Sequence, residues 1–220
     1  MVASAVPPKQ RIKPPEVNVS KGVCKGSLRP MGQARLNLKG VQALLLDSDQ
    51  FSRGLISSML RGFGMDAPII GQTGADAMSY LNGNSVDLCI MEAMLPDMSG
   101  AELIRWLRRP EMDKIRFVPV VVLTSYAQLR LVSAARDGGA NIIVRKPVSP
   151  QGLFDRITWI ARVQRPFIDA GNYSGPDRRF QSVDPPDGIW KRGDDANRGQ
   201  ETAPRVVNKL AEAVSKGSPQ

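Results

Sequence analysis

The chain has no histidine. That absence excludes a Ser-His-Asp or Cys-His nucleophile pair, a His-ligated zinc and a phosphohistidine donor. Cysteine is nearly absent too: Cys24 lies in a polar arm and Cys89 in an apolar run, so neither reads as half of a secreted disulfide framework. No apolar run reaches the ~20 residues a membrane span needs, and the start MVASAVPPKQRIKPPE lacks a signal peptide's apolar stretch. A cytoplasmic protein is the expectation. With 42% hydrophobic residues over 220 positions, one packed domain with tails is the natural organisation.

The net charge of +9 is unevenly placed. Residues 1–40 carry eight Lys/Arg against one acid, residues 41–165 fourteen against twelve, and residues 166–220 eight against eight. The first segment also holds Pro7, Pro8, Pro14, Pro15 and Pro30 and shows neither period 2 nor period 3.6, so 1–40 is expected to be a disordered basic arm. Such an arm is a solvated tail or a contact for an anionic partner. It lacks aromatic interleaving and any recognition motif, which counts against nucleic acid.

From Val41 short apolar runs alternate with amphipathic stretches, the signature of βα repeats around a parallel sheet. Strands are predicted at Val41–Leu46, Pro68–Ile70, Val86–Met91, Val118–Leu123 and Asn141–Val144. The intervening helices stop at Gly64, at Asn82-Gly83, before Pro110 and at Gly138-Gly139; Ser99 caps the third, and Pro150 opens the fifth. Five such units over 41–165 make a doubly wound α/β sandwich. After Arg165 the periodicity lapses, and 166–220 reads as an irregular tail with a short helix over 203–216 carrying Val206, Val207, Leu210, Ala211 and Val214 on one face. That helix is too short to persist undocked.

Ligands of an open parallel sheet sit beyond the carboxyl ends of its strands. Asp47-Ser48-Asp49 follows the first strand, Glu92 the third, Thr124-Ser125 the fourth and Lys146-Pro147 the fifth. Carboxylates, a hydroxyl and an ammonium converging there form a phosphoryl and divalent-metal set.

These residues carry a resemblance to the response-regulator receiver family of two-component signalling, a CheY-like module. Glu92-Ala-Met-Leu-Pro96-Asp-Met-Ser-Gly100 resembles the family's acceptor loop, with proline four on and glycine eight on. Leu44-Leu-Leu-Asp47-Ser-Asp49 resembles its acidic first-strand end, Thr124 its switch hydroxyl, and Lys146-Pro147 its lysine-proline pair, typically joined by a cis bond. The resemblance implies a flavodoxin-like five-stranded sheet of order 2-1-3-4-5. It also implies that Thr124 and Lys146 hold phosphoryl oxygens, and that Asp47 and the acceptor position bind Mg²⁺. An enzyme is not expected.

Two departures alter that expectation. Ser48 stands where the family has a second first-strand acid, so Mg²⁺ binding should weaken. Asp49 would compensate only if re-aimed, and otherwise reads as a helix cap. Glu92 replaces the acceptor aspartate, pushing the carboxylate outward by about one C–C bond, ~1.5 Å. Misplacement by ~1 Å can cost about a hundredfold in rate. A phosphorylation-independent pseudo-receiver is therefore expected, with a permanent charge that pairs with Lys146 and partly imitates the phosphorylated state. Its output should come from surfaces or tails. One candidate is a protein partner on the face of the fourth helix, fifth strand and fifth helix, where Arg130, Arg145, Arg156 and Arg162 favour acidic chemistry. Another is cyclic di-GMP: Asp177, Arg178, Arg179, Trp190 and Arg192 resemble the arginine-rich tails of CheY-like cyclic di-GMP effectors, although Phe180 interrupts the arginine run.

Overall fold

A computed structural model describes residues 38–112, 115–125, 129–163, 165–170, 173–178 and 210. The chain divides into two units, 1–33 and 34–220, and the first lies outside the described residues. In β1 (Ala43–Leu46) every side chain is buried, which is what a strand covered by helices on both faces requires. Its odd residues, Ala43 and Leu45, pack with α1 (Gln50–Gly62) and α5 (Pro150–Arg162). Its even residues, Leu44 and Leu46, pack with α2 (Gly74–Leu81), α3 (Gly100–Leu107) and α4 (Leu129–Gly138).

The remaining strands are β2 (Ile69–Gly71), β3 (Leu88–Glu92), β4 (Val120–Thr124) and β5 (Ile142–Arg145), and all pair in parallel in the order β2-β1-β3-β4-β5. The expected sheet is therefore the observed one. Helix boundaries follow local chemistry. Thr73 and Ser99 close reciprocal capping boxes with Asp76 and Glu102, Ser149 caps α5 with Pro150 at its start, and Gly139 takes a left-handed φ of 102° just after α4. Cys89 sits fully inside β3, where burial pushes its thiol up to about 12, so it stays protonated and inert.

Two boundaries depart from the sequence reading. Leu38, expected in the disordered arm, is fully buried beside Leu45 and Leu60; Leu36-Asn37-Leu38 is too short a run to establish a period that would reveal it. The stretch after Arg165, expected to be irregular, forms an antiparallel pair, β6 (Phe167–Ala170) and β7 (Tyr173–Pro176). Gly171-Asn172 between two runs containing Phe167 and Tyr173 is a hairpin signal that a search for βα periodicity passes over.

The pair is docked where α3, α4 and β4 meet. Ser174 Oγ donates to the Arg108 carbonyl at 3.1 Å, Arg116 pairs with Asp169, and Gly175 packs on Gly139. Beneath it Arg108, only 2% exposed, donates to the carbonyls of Gly139, Arg116 and Val118 and faces the Phe167 ring at 5.7 Å. Burial lowers the guanidinium to about 10, so it remains charged at neutral pH.

Leu210 is helical and fully buried within the α1/α5 layer; the rest of the helix expected over 203–216 lies outside the described residues.

Candidate functional site

Register brings the predicted polar residues to one end of the sheet. Leu46 pairs with Met91, Glu92 with Leu123, and Thr124 with Arg145, so Asp47, Glu92, Thr124 and Lys146 all emerge at the carboxyl edge. The backbone N–H of Lys146 donates to the carbonyl of buried Thr124 at 2.8 Å, and the Lys146-Pro147 bond is cis, as the resemblance implies. Gly100 lies against the strand end: a Cβ there would sit 2.8 Å from the Glu92 carbonyl, which accounts for glycine eight positions on.

Lys146 is the centre of the constellation. Its Nζ donates to Asp47 Oδ2 at 2.6 Å and to Glu92 Oε1 at 3.3 Å. The Asp47 side chain is 1% exposed, that of Lys146 15% and that of Glu92 19%, so Glu92 points inward and not to solvent. Burial acts to raise the Asp47 carboxyl, but hydrogen bonds from Lys146, Ser52 Oγ and the Asp49 N–H outweigh it, and the group is held below its ordinary range. Glu92 is shifted the other way: burial and the neighbouring Asp47 charge raise it, against the pull of Lys146. One ammonium thus serves two unequal carboxylates.

Asp49 is the cap of α1; its carboxylate accepts from the Phe51 and Ser52 N–H groups. Ser48 is exposed at the position of the missing acid. Two contributors were not singled out from sequence. Ser52 donates to Asp47 Oδ2 at 2.7 Å, and Arg53 Nη1 donates to the carbonyls of Asp47 and Ser48 at 2.6 and 2.9 Å. Their signal was only their place in the first turn of α1, beside an acidic strand end.

The donor set does not fit the Mg²⁺ that the resemblance implies. Mg²⁺ demands near-octahedral oxygen ligands at 2.0–2.1 Å, yet Asp47 Oδ2 already accepts from Lys146 and Ser52, Oδ1 from Asp49, and Glu92 faces the ammonium. Among the described residues no three or more Asp, Glu, Cys or His are grouped to hold a metal.

Of the nucleotide-binding candidates, Asp177 and Arg178 are described, whereas Arg179, Trp190 and Arg192 lie outside the described residues. The Asp177 backbone continues the docked strands: its N–H donates to the Pro166 carbonyl at 2.8 Å and its carbonyl accepts from Arg165 at 2.9 Å. Arg178 lies over the Tyr173 ring at 4.1 Å and pairs with Asp137 at 2.9 Å. These residues are remote in sequence from the Lys146 cluster and hang on the β6–β7 pair.

A family model described as the response regulator receiver domain matches residues 43–158, ending before β6. The chain is similar to the polar-differentiation response regulator DivK of Brucella anthropi, 26% identical over 114 residues that make up 52% of this chain and 90% of DivK. It is also similar to the DNA-binding response regulator MtrA of Mycolicibacterium smegmatis, 32% identical over 122 residues; that match covers 56% of this chain and only 50% of MtrA. Among solved structures, a response regulator of Chloroflexus aurantiacus J-10-fl superposes with a TM-score of 0.51 at 27% identity, over 56% of this chain and 98% of that one. With the strand order, the edge cluster and a family match across half its length, this chain belongs to the response regulator receiver family.

Proposed function

We propose that the chain is a receiver that signals by protein contact without accepting a phosphoryl group at Glu92. The observation that carries this reading is the 3.3 Å approach of Glu92 Oε1 to Lys146 Nζ. The ammonium that would meet an incoming phosphoryl oxygen is engaged by two carboxylates, and the longer side chain takes up the space in front of it. The fixed charge imitates part of what phosphorylation would supply.

The partner surface is the α4-β5-α5 face. Arg130, Arg145, Arg156 and Arg162 are exposed there, and Leu129, 83% exposed, adds an apolar anchor at the start of α4. An acidic partner with an apolar contact suits that face. The deciding experiment treats the full chain with an acyl phosphate and Mg²⁺ and reads the intact mass, with Glu92→Asp alongside. The expected result is an unlabelled native chain; one phosphoryl group on Glu92 overturns the reading.

A second reading is favoured by Arg178, whose guanidinium is held over Tyr173 at the end of a docked strand. From that anchored base the segment with Asp177, Arg178, Arg179, Trp190 and Arg192 would take cyclic di-GMP, stacking guanine on arginine or indole planes and gripping phosphate with guanidinium forks. Calorimetric titration of the full chain with cyclic di-GMP, native and Arg178→Ala, tests it. Saturable binding weakened by the substitution is expected, and no heat from the native chain rejects it.

A further inference from the structure

Arg53 occupies an unfavourable place for a cation. It lies in the first turn of α1, a turn without any acidic residue, where the aligned peptide dipoles already present positive charge. What offsets that placement is a pair of bonds to the carbonyls of Asp47 and Ser48, the main-chain oxygens of the acidic loop. A cation is thus fixed on the loop from one side while Lys146 bridges Asp47 and Glu92 from the other.

The balance of the pocket follows. Asp47 and Glu92 bring two negative charges, Lys146 and Arg53 two positive ones, and Asp49 spends its carboxylate on helix amides. These four groups balance without any ion, and the one charge left over, on Asp49, is turned to the α1 amides. A divalent cation entering it would meet two fixed like charges and would have to strip hydrogen bonds from both Asp47 oxygens and from two carbonyls. Mg²⁺ releases its own water reluctantly, and such a site offers it little in exchange.

We infer that Lys146 and Arg53 are the resident cations of this pocket, and that Arg53 is the residue that, together with the missing acid at Ser48, excludes a divalent metal ion from it. The inference rests on the reading of the pocket as closed to phosphoryl transfer and extends it by naming what holds the charge instead. Arg53 acts through the loop carbonyls and is a positioning residue.

The test is a titration of the full chain with MgCl₂, followed by amide NMR at Ser48, Asp49 and Ala93. Native protein is expected to show no saturable shift. Arg53→Gln combined with Ser48→Asp is expected to bind Mg²⁺ saturably, about tenfold or more tighter than the native chain, the change expected on replacing a nearby cation by an anion. Arg53→Lys combined with Ser48→Asp, which keeps the charge at Arg53, should stay unresponsive, and Mg²⁺ binding by it as tight as by Arg53→Gln/Ser48→Asp overturns the role of Arg53. The same spectra report whether each variant is folded.

Saturable Mg²⁺ shifts in the native chain overturn the inference, and so does a folded Arg53→Gln/Ser48→Asp variant that binds no metal. The two readings fail separately. A native chain that binds Mg²⁺ yet takes no phosphoryl group sinks only this inference. One that accepts a phosphoryl group while showing no Mg²⁺ shift sinks only the closed-pocket function.

Discussion

Gly139 and Gly175 meet backbone to backbone: a Cβ on Gly175 would stand 2.8 Å from Gly139 Cα, and one on Gly139 would stand 2.7 Å from the Ser174 carbonyl. The turn after α4 and strand β7 approach this closely only because neither residue has a side chain. Gly175→Ala is therefore expected to cost about 1–3 kcal/mol through overpacking. Urea unfolding gives the magnitude, and faster amide exchange confined to β6–β7 would place it. Gly54→Ala is the counter-case. Gly54 is an exposed α1 residue with open space around it, so alanine there should stabilise by about 0.5–1 kcal/mol.

Arg108 serves three carbonyls from inside the protein. Replacing it with leucine removes every donor and leaves those acceptors buried, each at about 1–3 kcal/mol before relaxation. A loss of at least about 3 kcal/mol is expected by urea unfolding. Arg108→Lys should rescue only part of it, because a single ammonium cannot span the fork's reach. Full rescue by lysine would show that charge alone matters there.

How much of this was legible beforehand differs by element. The five βα units and their caps announced themselves, since near-continuous apolar strands, Ser99, Pro150 and Gly138-Gly139 are local signals that the packed domain agrees with. The edge cluster was legible for the same reason: strand ends fix where Asp47, Glu92, Thr124 and Lys146 emerge. Its wiring was not. That Lys146 would bridge two carboxylates while Arg53 reached back to loop carbonyls depends on side-chain directions that no spacing encodes. The β6–β7 pair and Leu38 were missed because their stabilisation comes from docking, through Arg116, Asp169 and the α1/α5 layer.

Leu210 tests how far the domain reaches into the tail. It is 0% exposed among α1 and α5 side chains, so Leu210→Ala should cost about 2–5 kcal/mol. A change within about 0.5 kcal/mol, the scale of surface substitutions, would mean that the contact contributes nothing in solution.

The opposite shifts at Asp47 and Glu92 give a pH signature. Asp47 is held below its ordinary value, so its contribution is complete above the ordinary aspartate range and is lost as pH falls through the depressed value. Glu92 is raised, so the folded state gives up stability as pH climbs from the ordinary glutamate value to the raised one. Glu92→Gln should therefore gain on the native chain across that window and hold a constant offset above and below it. Asp47→Asn should lose most at neutral pH and converge on native below the depressed aspartate value. Thermal melts between acidic and neutral pH read both, and a Glu92→Gln offset that does not change with pH would refute the assignment.

Arg178 is bound to α4 through Asp137, and Leu210 is seated in the layer of α1 and α5, so side chains beyond the family module reach both helical layers of the sandwich. A substitution at either contact therefore loads one layer and spares the other: Asp137→Ala acts on α4, and Leu210→Ala on α1 and α5.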